Sequence, residues 1–245
     1  MADPQPGAAR SSCAAPPRGS APETAPHEGP PVAPPGRGLF LVLEGGDNTG
    51  KSTQAGLLAA WLQDQGRRVV RTFEPGDTML GRTIRQVVLD PASGNIDPRA
   101  EALLYAADKA QHIRDVVGPA LARGDIVVCD RYVDSMIAYQ GAGRVLDPAE
   151  IARLAWWAAY DTKPDLTILL DVPVSDALGG KDERDRIERA GQGFHERVRA
   201  FFLDLAAAEP CRYLVLQRGT IDETQERIRE AVGPLLSEGC DTMVP

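Results

Sequence analysis

The run Gly45-Gly46-Asp47-Asn48-Thr49-Gly50-Lys51-Ser52 has the spacing G-x-x-x-x-G-K-[ST]. That spacing binds phosphate. Its glycines let successive backbone N–H groups turn toward phosphate oxygens, its lysine reaches the terminal phosphates, and its hydroxyl serves Mg²⁺. A helix starting at the end of the run would add partial positive charge from its N-terminus.

Other polar groups follow apolar runs farther along. Asp130 and Arg131 come directly after Ile126-Val127-Val128-Cys129. A carboxylate there suits the surroundings of a phosphate-bound Mg²⁺, or it caps a helix. Arg131 suits a bidentate grip on a phosphoryl group, or a surface ion pair. Glu74 and Asp171 likewise close apolar runs. Residues 179–193 hold Lys181-Asp182-Glu183-Arg184-Asp185-Arg186-Ile187-Glu188 between glycines. They read either as a solvated loop or as a mobile lid that carries an arginine over reacting phosphates and excludes water. Phosphoryl transfer works by positioning and cations, so the lack of a Ser/His/Asp or Cys/His arrangement is no obstacle. His27, His112 and His195 are too few and too scattered for a metal site, and read as surface or core residues. Trp156-Trp157 reads as core or subunit contact.

These groups need strands and helices to position them. Apolar runs at 39–43, 69–73, 126–129, 166–170 and 213–216 predict five strands. Between them, helical spacing appears after Lys51 and over 79–89, 98–122, 147–160, 194–208 and 221–236, with Pro98 suited to a first helical turn. Uninterrupted apolar strands alternating with helices predict an α/β fold whose parallel sheet is covered on both faces. The polar groups cluster beyond the carboxyl ends of the strands, where open α/β sheets bind ligands.

Residues 1–37 hold half of the chain's 20 prolines. They carry too little apolar surface to offset ordering entropy and read as a disordered tail without the apolar core of a signal peptide. Residues 38–237 form one expected domain, with the lid at about 179–193, and 238–245 a short C-terminal tail. No apolar run approaches the roughly 20 residues of a membrane span. The formal net charge of −8 argues against non-specific nucleic-acid binding. The four cysteines have no metal spacing, Cys129 suits a small core position, and a reducing cytoplasm is the expected setting.

Taken together, several blocks resemble the bacterial thymidylate kinase family. They are Glu44-Gly45-Gly46-Asp47 with Gly50 to Gln54, Glu74-Pro75-Gly76, Glu101 to His112, Asp130-Arg131-Tyr132 with Ala138-Tyr139-Gln140-Gly141, Pro164 to Val172, and Asp185-Arg186-Ile187-Glu188. The resemblance covers roughly residues 38–236. It implies a P-loop NTPase fold of the nucleoside-monophosphate-kinase type, with a five-stranded parallel sheet and a short lid. It also implies a homodimer that transfers phosphate from ATP to dTMP with Mg²⁺. The implied ATP-binding set is Gly45, Gly46, Asp47, Asn48, Thr49, Gly50, Lys51, Ser52 and Thr53. Ser52 and Asp130 would serve the metal, and Lys51, Arg131 and Arg186 catalysis. The implied acceptor set is Asp47 at the sugar 3′-hydroxyl, Glu74, Arg85 and Arg131 at the monophosphate and base side, Tyr105 stacked on the base, and Lys109, Met136 and Gln140 around it.

The departures from the family pattern cluster on the acceptor side. Phe73 stands where an arginine usually precedes Glu-Pro-Gly, and Asp77 replaces the next glycine. Lys109 replaces a base-reading arginine, Met136 a frequent serine, and Tyr105 the usual phenylalanine. In the phosphate loop Asn48 replaces a frequent glycine, and asparagine tolerates positive φ better than most residues. Three readings stay open: a thymidylate kinase with compensating residues, a paralogue for a different or modified pyrimidine nucleotide, or a nucleotide-binding protein with weak activity.

Overall fold

The computed structural model describes residues 38–177 and 185–238. The expected N-terminal tail, Lys181 and Arg184 of the expected lid, and residues 239–245 lie outside the described residues. Five strands form one sheet: β1 (Phe40–Gly45), β2 (Val69–Phe73), β3 (Ile126–Asp130), β4 (Leu166–Asp171) and β5 (Tyr213–Gln217). Their order is β2-β3-β1-β4-β5 and every neighbouring pair is parallel. Each strand lies on the apolar run that predicts it, and all but β2 extend past it into polar residues such as Glu44, Asp130 and Asp171. Backbone pairing, not side-chain polarity, decides where a ladder stops.

Alternate residues of β1 feed opposite faces of the sheet, as strand geometry requires. Phe40 and Val42 join Val127 and Cys129 in a core with Ala106, Val133, Ile137 and Ala155. Leu41 and Leu43 join Val128 and Ile168 in a second core with Leu58, Leu62, Ile228 and Val232. The helices packed around the sheet include α1 (Lys51–Asp64), α2 (Met79–Leu89), α3 (Pro98–His112), α4 (Val133–Met136), α5 (Pro148–Ala158), α6 (Gln192–Ala208) and α7 (Ile221–Glu238). α3 runs on through a π-helical turn, Ile113–Val117, and a last turn, Gly118–Ala122. Pro98 takes its first position and the Asp97 side chain caps it, accepting from Arg99 N at 2.9 Å.

Segment 133–143 is where sequence periodicity fails. It is helical throughout, with α4 passing into a π-helical stretch, Ile137–Gly143. Val133 through Gly141 are all buried, so no polar face marks the 3.6-residue period.

Candidate active site

The chain leaves β1 at its carboxyl end, makes the glycine loop and enters α1. Gly45 has φ 136°, and a Cβ there would stand 2.5 Å from the Leu170 carbonyl oxygen on β4. Both facts require glycine. Asn48 adopts φ 58°, the left-handed conformation that asparagine tolerates. The Lys51 ammonium folds back over the loop, donating to the Gly46 carbonyl and to Thr49 Oγ1 at 3.3 Å. Burial, reinforced by the charge of Arg131, pushes this ammonium down to about 8. Because β3 lies beside β1, with Leu43 paired to Asp130, Asp130 reaches the first turn of α1. There its Oδ2 accepts from Ser52 Oγ at 2.5 Å.

Arg131 follows β3 with φ 70°, an uncommon backbone for a residue bearing a side chain. That turn sends its guanidinium back across the phosphate loop. Nη2 donates to Asp47 Oδ1 at 2.5 Å, while Nη1 donates to the Gly45 carbonyl at 2.9 Å and to Ser135 Oγ at 3.1 Å. Asp47 Oδ2 accepts from the Tyr139 hydroxyl at 2.9 Å. Burial pushes the Asp47 carboxyl up, but the charges of Arg131 and Lys51 and the Tyr139 hydroxyl outweigh it and hold the group below the usual carboxylate range. Beneath them Glu44 is fully buried. Its Oε1 accepts from Tyr132 N at 2.8 Å and Ser135 N at 3.0 Å, and its Oε2 from Ser135 Oγ at 2.6 Å. Burial, then the charge of Asp134, pushes Glu44 up to about 7 against the pull of Arg131.

Two hollows meet at the Asp47–Arg131 pair. One lies over the loop and is lined by residues 47–53, Arg71, Phe73 and Asp130. The other runs under α2 and α3 and is lined by Tyr105, Lys109, Met136, Tyr139 and Gln140. Asp47, Glu74, Arg85, Arg131 and Asp185 line both. A third hollow opens on the far side of the loop, between Thr53, Gln54, Arg218 and Thr220.

The walls of the second hollow are fixed by charge. Lys109 and His112 both reach the Glu74 carboxylate, His112 Nδ1 at 2.8 Å. Their charges and hydrogen bonds outweigh burial and hold Glu74 below the usual range. Gln140 Nε2 donates to Glu101 Oε1 at 3.0 Å, and Arg85 Nη1 to the Pro75 carbonyl at 2.7 Å. The Tyr105 hydroxyl is held above its ordinary value by burial.

Comparison with known proteins places this arrangement. The family model for thymidylate kinase matches residues 43–228. The thymidylate kinase of Cutibacterium acnes is 57% identical over 201 residues, covering 82% of this chain and 98% of that one. The thymidylate kinase of Pseudomonas fluorescens is 45% identical over 202 residues, with coverage of 81% and 95%. The crystal structure of thymidylate kinase from Ehrlichia chaffeensis superposes with a TM-score of 0.68 at 31% identity, covering 80% of this chain and 99% of that one. This chain belongs to the thymidylate kinase family.

Within that family frame, the expected residues gather with one exception. Arg186 does not lie over the phosphate loop. Its Nε donates to the Val88 carbonyl at 2.8 Å and its guanidinium pairs with Glu101. Glu101 is fully buried on α3, and Arg144, Gln140 and Arg186 together satisfy it; a buried carboxylate without them would be costly. Among the described residues of the lid segment, its neighbour Asp185 lines both hollows.

Two acceptor-side departures also look different in three dimensions. Phe73 lies under the Arg85 guanidinium, 5.6 Å from ring centroid to Cζ, and so supports a cation instead of merely lacking one. Asp77 turns away from both hollows and accepts from Thr72 Oγ1 at 2.5 Å. Asp171, at the end of β4, is held by Arg199 at 2.6 Å and lines neither hollow. Trp156 packs against the core while Trp157 stands 75% exposed. Sequence reasoning missed the parts played by Tyr139, Glu44 and His195. The first two lie inside the quoted family blocks; His195 carries no signal in its spacing.

Proposed function

We propose that this chain transfers the γ-phosphoryl group of ATP to dTMP, giving ADP and dTDP. An oxygen of the acceptor monophosphate attacks the γ-phosphorus, and the bond from that phosphorus to the β,γ-bridging oxygen breaks. The observation that carries this reading is the pair of hollows joined at Asp47 and Arg131, one built for phosphates and one for a planar ring. The loop N–H groups and Lys51 hold the donor phosphates, with the third hollow taking the donor base. Ser52 and Asp130, a hydroxyl and a carboxylate in contact, are the oxygen donors that a Mg²⁺ bound largely through phosphates requires. That ion would neutralise charge on the transferring group. Arg131 and Arg85 face the monophosphate, Tyr105 and Met136 sandwich the base, and Gln140, held by Glu101, presents its amide to the base edge. Arg186 acts by holding Glu101, and with it Gln140. The expected cytoplasmic homodimer belongs to the same proposal. Leu103 of α3 and Trp157 of α5 are 59% and 75% exposed on two helices that pack together, and light scattering of the purified chain tests whether they are covered by a second copy.

A coupled assay of ADP release against a panel of nucleoside monophosphates tests the activity. dTMP is expected to give the highest kcat/KM. If another pyrimidine monophosphate wins by more than about ten-fold, Lys109 and Met136 mark a different acceptor and the dTMP reading fails.

A further inference from the structure

His195 stands on the first turns of α6, with its side chain 6% exposed. Its ring is edge-on to Phe194. Nδ1 lies 3.8 Å from Asp47 Oδ2, and Nε2 lies 3.4 Å from the Glu188 carbonyl oxygen. The ring therefore bridges the phosphate loop and the described part of the expected lid segment. That segment is a compact turn: Asp185 Oδ1 accepts from Ile187 N and Glu188 N, both at 2.8 Å. Asp185 and Glu188 line the hollow over the loop.

Both atoms facing the ring are acceptors. A neutral imidazole has one N–H and one lone pair, so it satisfies one of them and sets its lone pair against the other. Only the doubly protonated ring donates to both. The ionisable groups tied to it through these contacts are Asp47 on the loop, with Arg131 and Tyr139 donating to it, and Glu188 and Asp185 on the lid side. Arg131 and Tyr139 already donate to Asp47, and His195 would be a third donor to the same carboxylate. At 3.8 Å the contact is longer than a hydrogen bond, and it is an ion pair only when the ring is protonated.

We infer that His195 is a positioning residue for acceptor binding: its protonated ring locks Asp47 to the lid segment, so that acceptor affinity is greater when the ring carries its charge. The inference rests on the kinase reading above but not on which acceptor base is used. Imidazole titrates between about pH 5 and 8, and a phosphate monoester also titrates near about pH 6. The informative quantity is therefore the difference between the chain and its variants, measured with the best acceptor of the panel. His195→Phe, which keeps the ring and removes both donors, is expected to raise acceptor KM about five- to ten-fold at pH 6, with ATP KM unchanged and kcat altered less. The ratio of the two KM values should shrink toward one at pH 8. His195→Gln, with one donor, should fall between. Ring-nitrogen NMR supplies a readout apart from turnover. The chain has three histidines, and the His195 signals, assigned by their loss in the Phe variant, should show both nitrogens protonated when acceptor is bound at pH 7. Equal KM values for the chain and a folded Phe variant at pH 6, or a neutral His195 ring in the acceptor complex, would overturn the inference. A chain without kinase turnover would instead defeat the functional reading, and the two failures are separate.

Discussion

Asp47 and Arg131 are 2.5 Å apart, one inside the phosphate loop and the other just past a different strand. Their pairing closes the floor between the two hollows. It exists because β1 and β3 are sheet neighbours, although 84 residues separate the two side chains.

Asp47→Asn keeps the shape and removes the charge, leaving the Arg131 guanidinium without its counter-ion. A charged hydrogen bond contributes about 1.5–3 kcal/mol, so kcat/KM for the acceptor should fall about 10- to 100-fold. KM for ATP should change little. Steady-state kinetics with each substrate varied in turn separates the two, and a fall confined to ATP would contradict this assignment.

Lys51→Ala should abolish turnover while leaving the fold intact. The wild-type lysine offers a subtler test, because burial and Arg131 push it down to about 8 and bound phosphates would raise it again. Nucleotide binding should therefore take up a proton above pH 8 and almost none at pH 6, with affinity falling as pH rises through the upper range. Calorimetry in buffers of different ionisation enthalpy measures that uptake; the same uptake at both pH values would place the titrating group elsewhere.

Glu44 contributes a pH-dependent share of the stability. Burial raises it to about 7, above the ordinary carboxylate value, so the folded chain holds this proton more tightly than the unfolded chain. The stabilisation is complete below about pH 4.5 and is lost as pH rises through 7, by about 3 kcal/mol over that window. Glu44→Gln removes the titration and keeps an oxygen that accepts from Tyr132 N and Ser135 N. Urea melts should show the variant gaining on the wild type from pH 5 to pH 8; a constant difference would show that Glu44 is ionised throughout.

Gly81 tests the packing behind the acceptor hollow. A Cβ there would stand 2.3 Å from Asp108 Oδ1 and 2.9 Å from Thr78 Oγ1. Asp108 is buried and accepts from Gly76 N at 3.1 Å, so Gly81→Ala would push it off the turn that carries Glu74. Overpacking of this kind costs about 1–3 kcal/mol. A lower melting temperature and a raised acceptor KM are expected together, and an unchanged KM would show that the turn tolerates the shift.

The sequence by itself determined the sheet, the helices with a polar face and the phosphate loop. These depend on short-range regularities: continuous apolar runs, 3.6-residue spacing, and a glycine-lysine-serine spacing that one turn and one helix start satisfy. It also singled out Asp130 and Arg131, and the family resemblance added Tyr105, Lys109, Met136 and Gln140 as expected members of a site. Only the tertiary structure decided how these groups partner. Sequence distance says nothing about Arg186 meeting Glu101, Phe73 supporting Arg85, or His195 reaching Asp47 across 148 residues of chain. Those contacts follow from strand order and from the need of each buried charge for a partner, which local residue patterns do not encode. Helix 133–143 was hidden for a related reason: burial on every side erased the polar stripe that would have announced it, and only packing against β1, α5 and α6 shows why those residues are apolar.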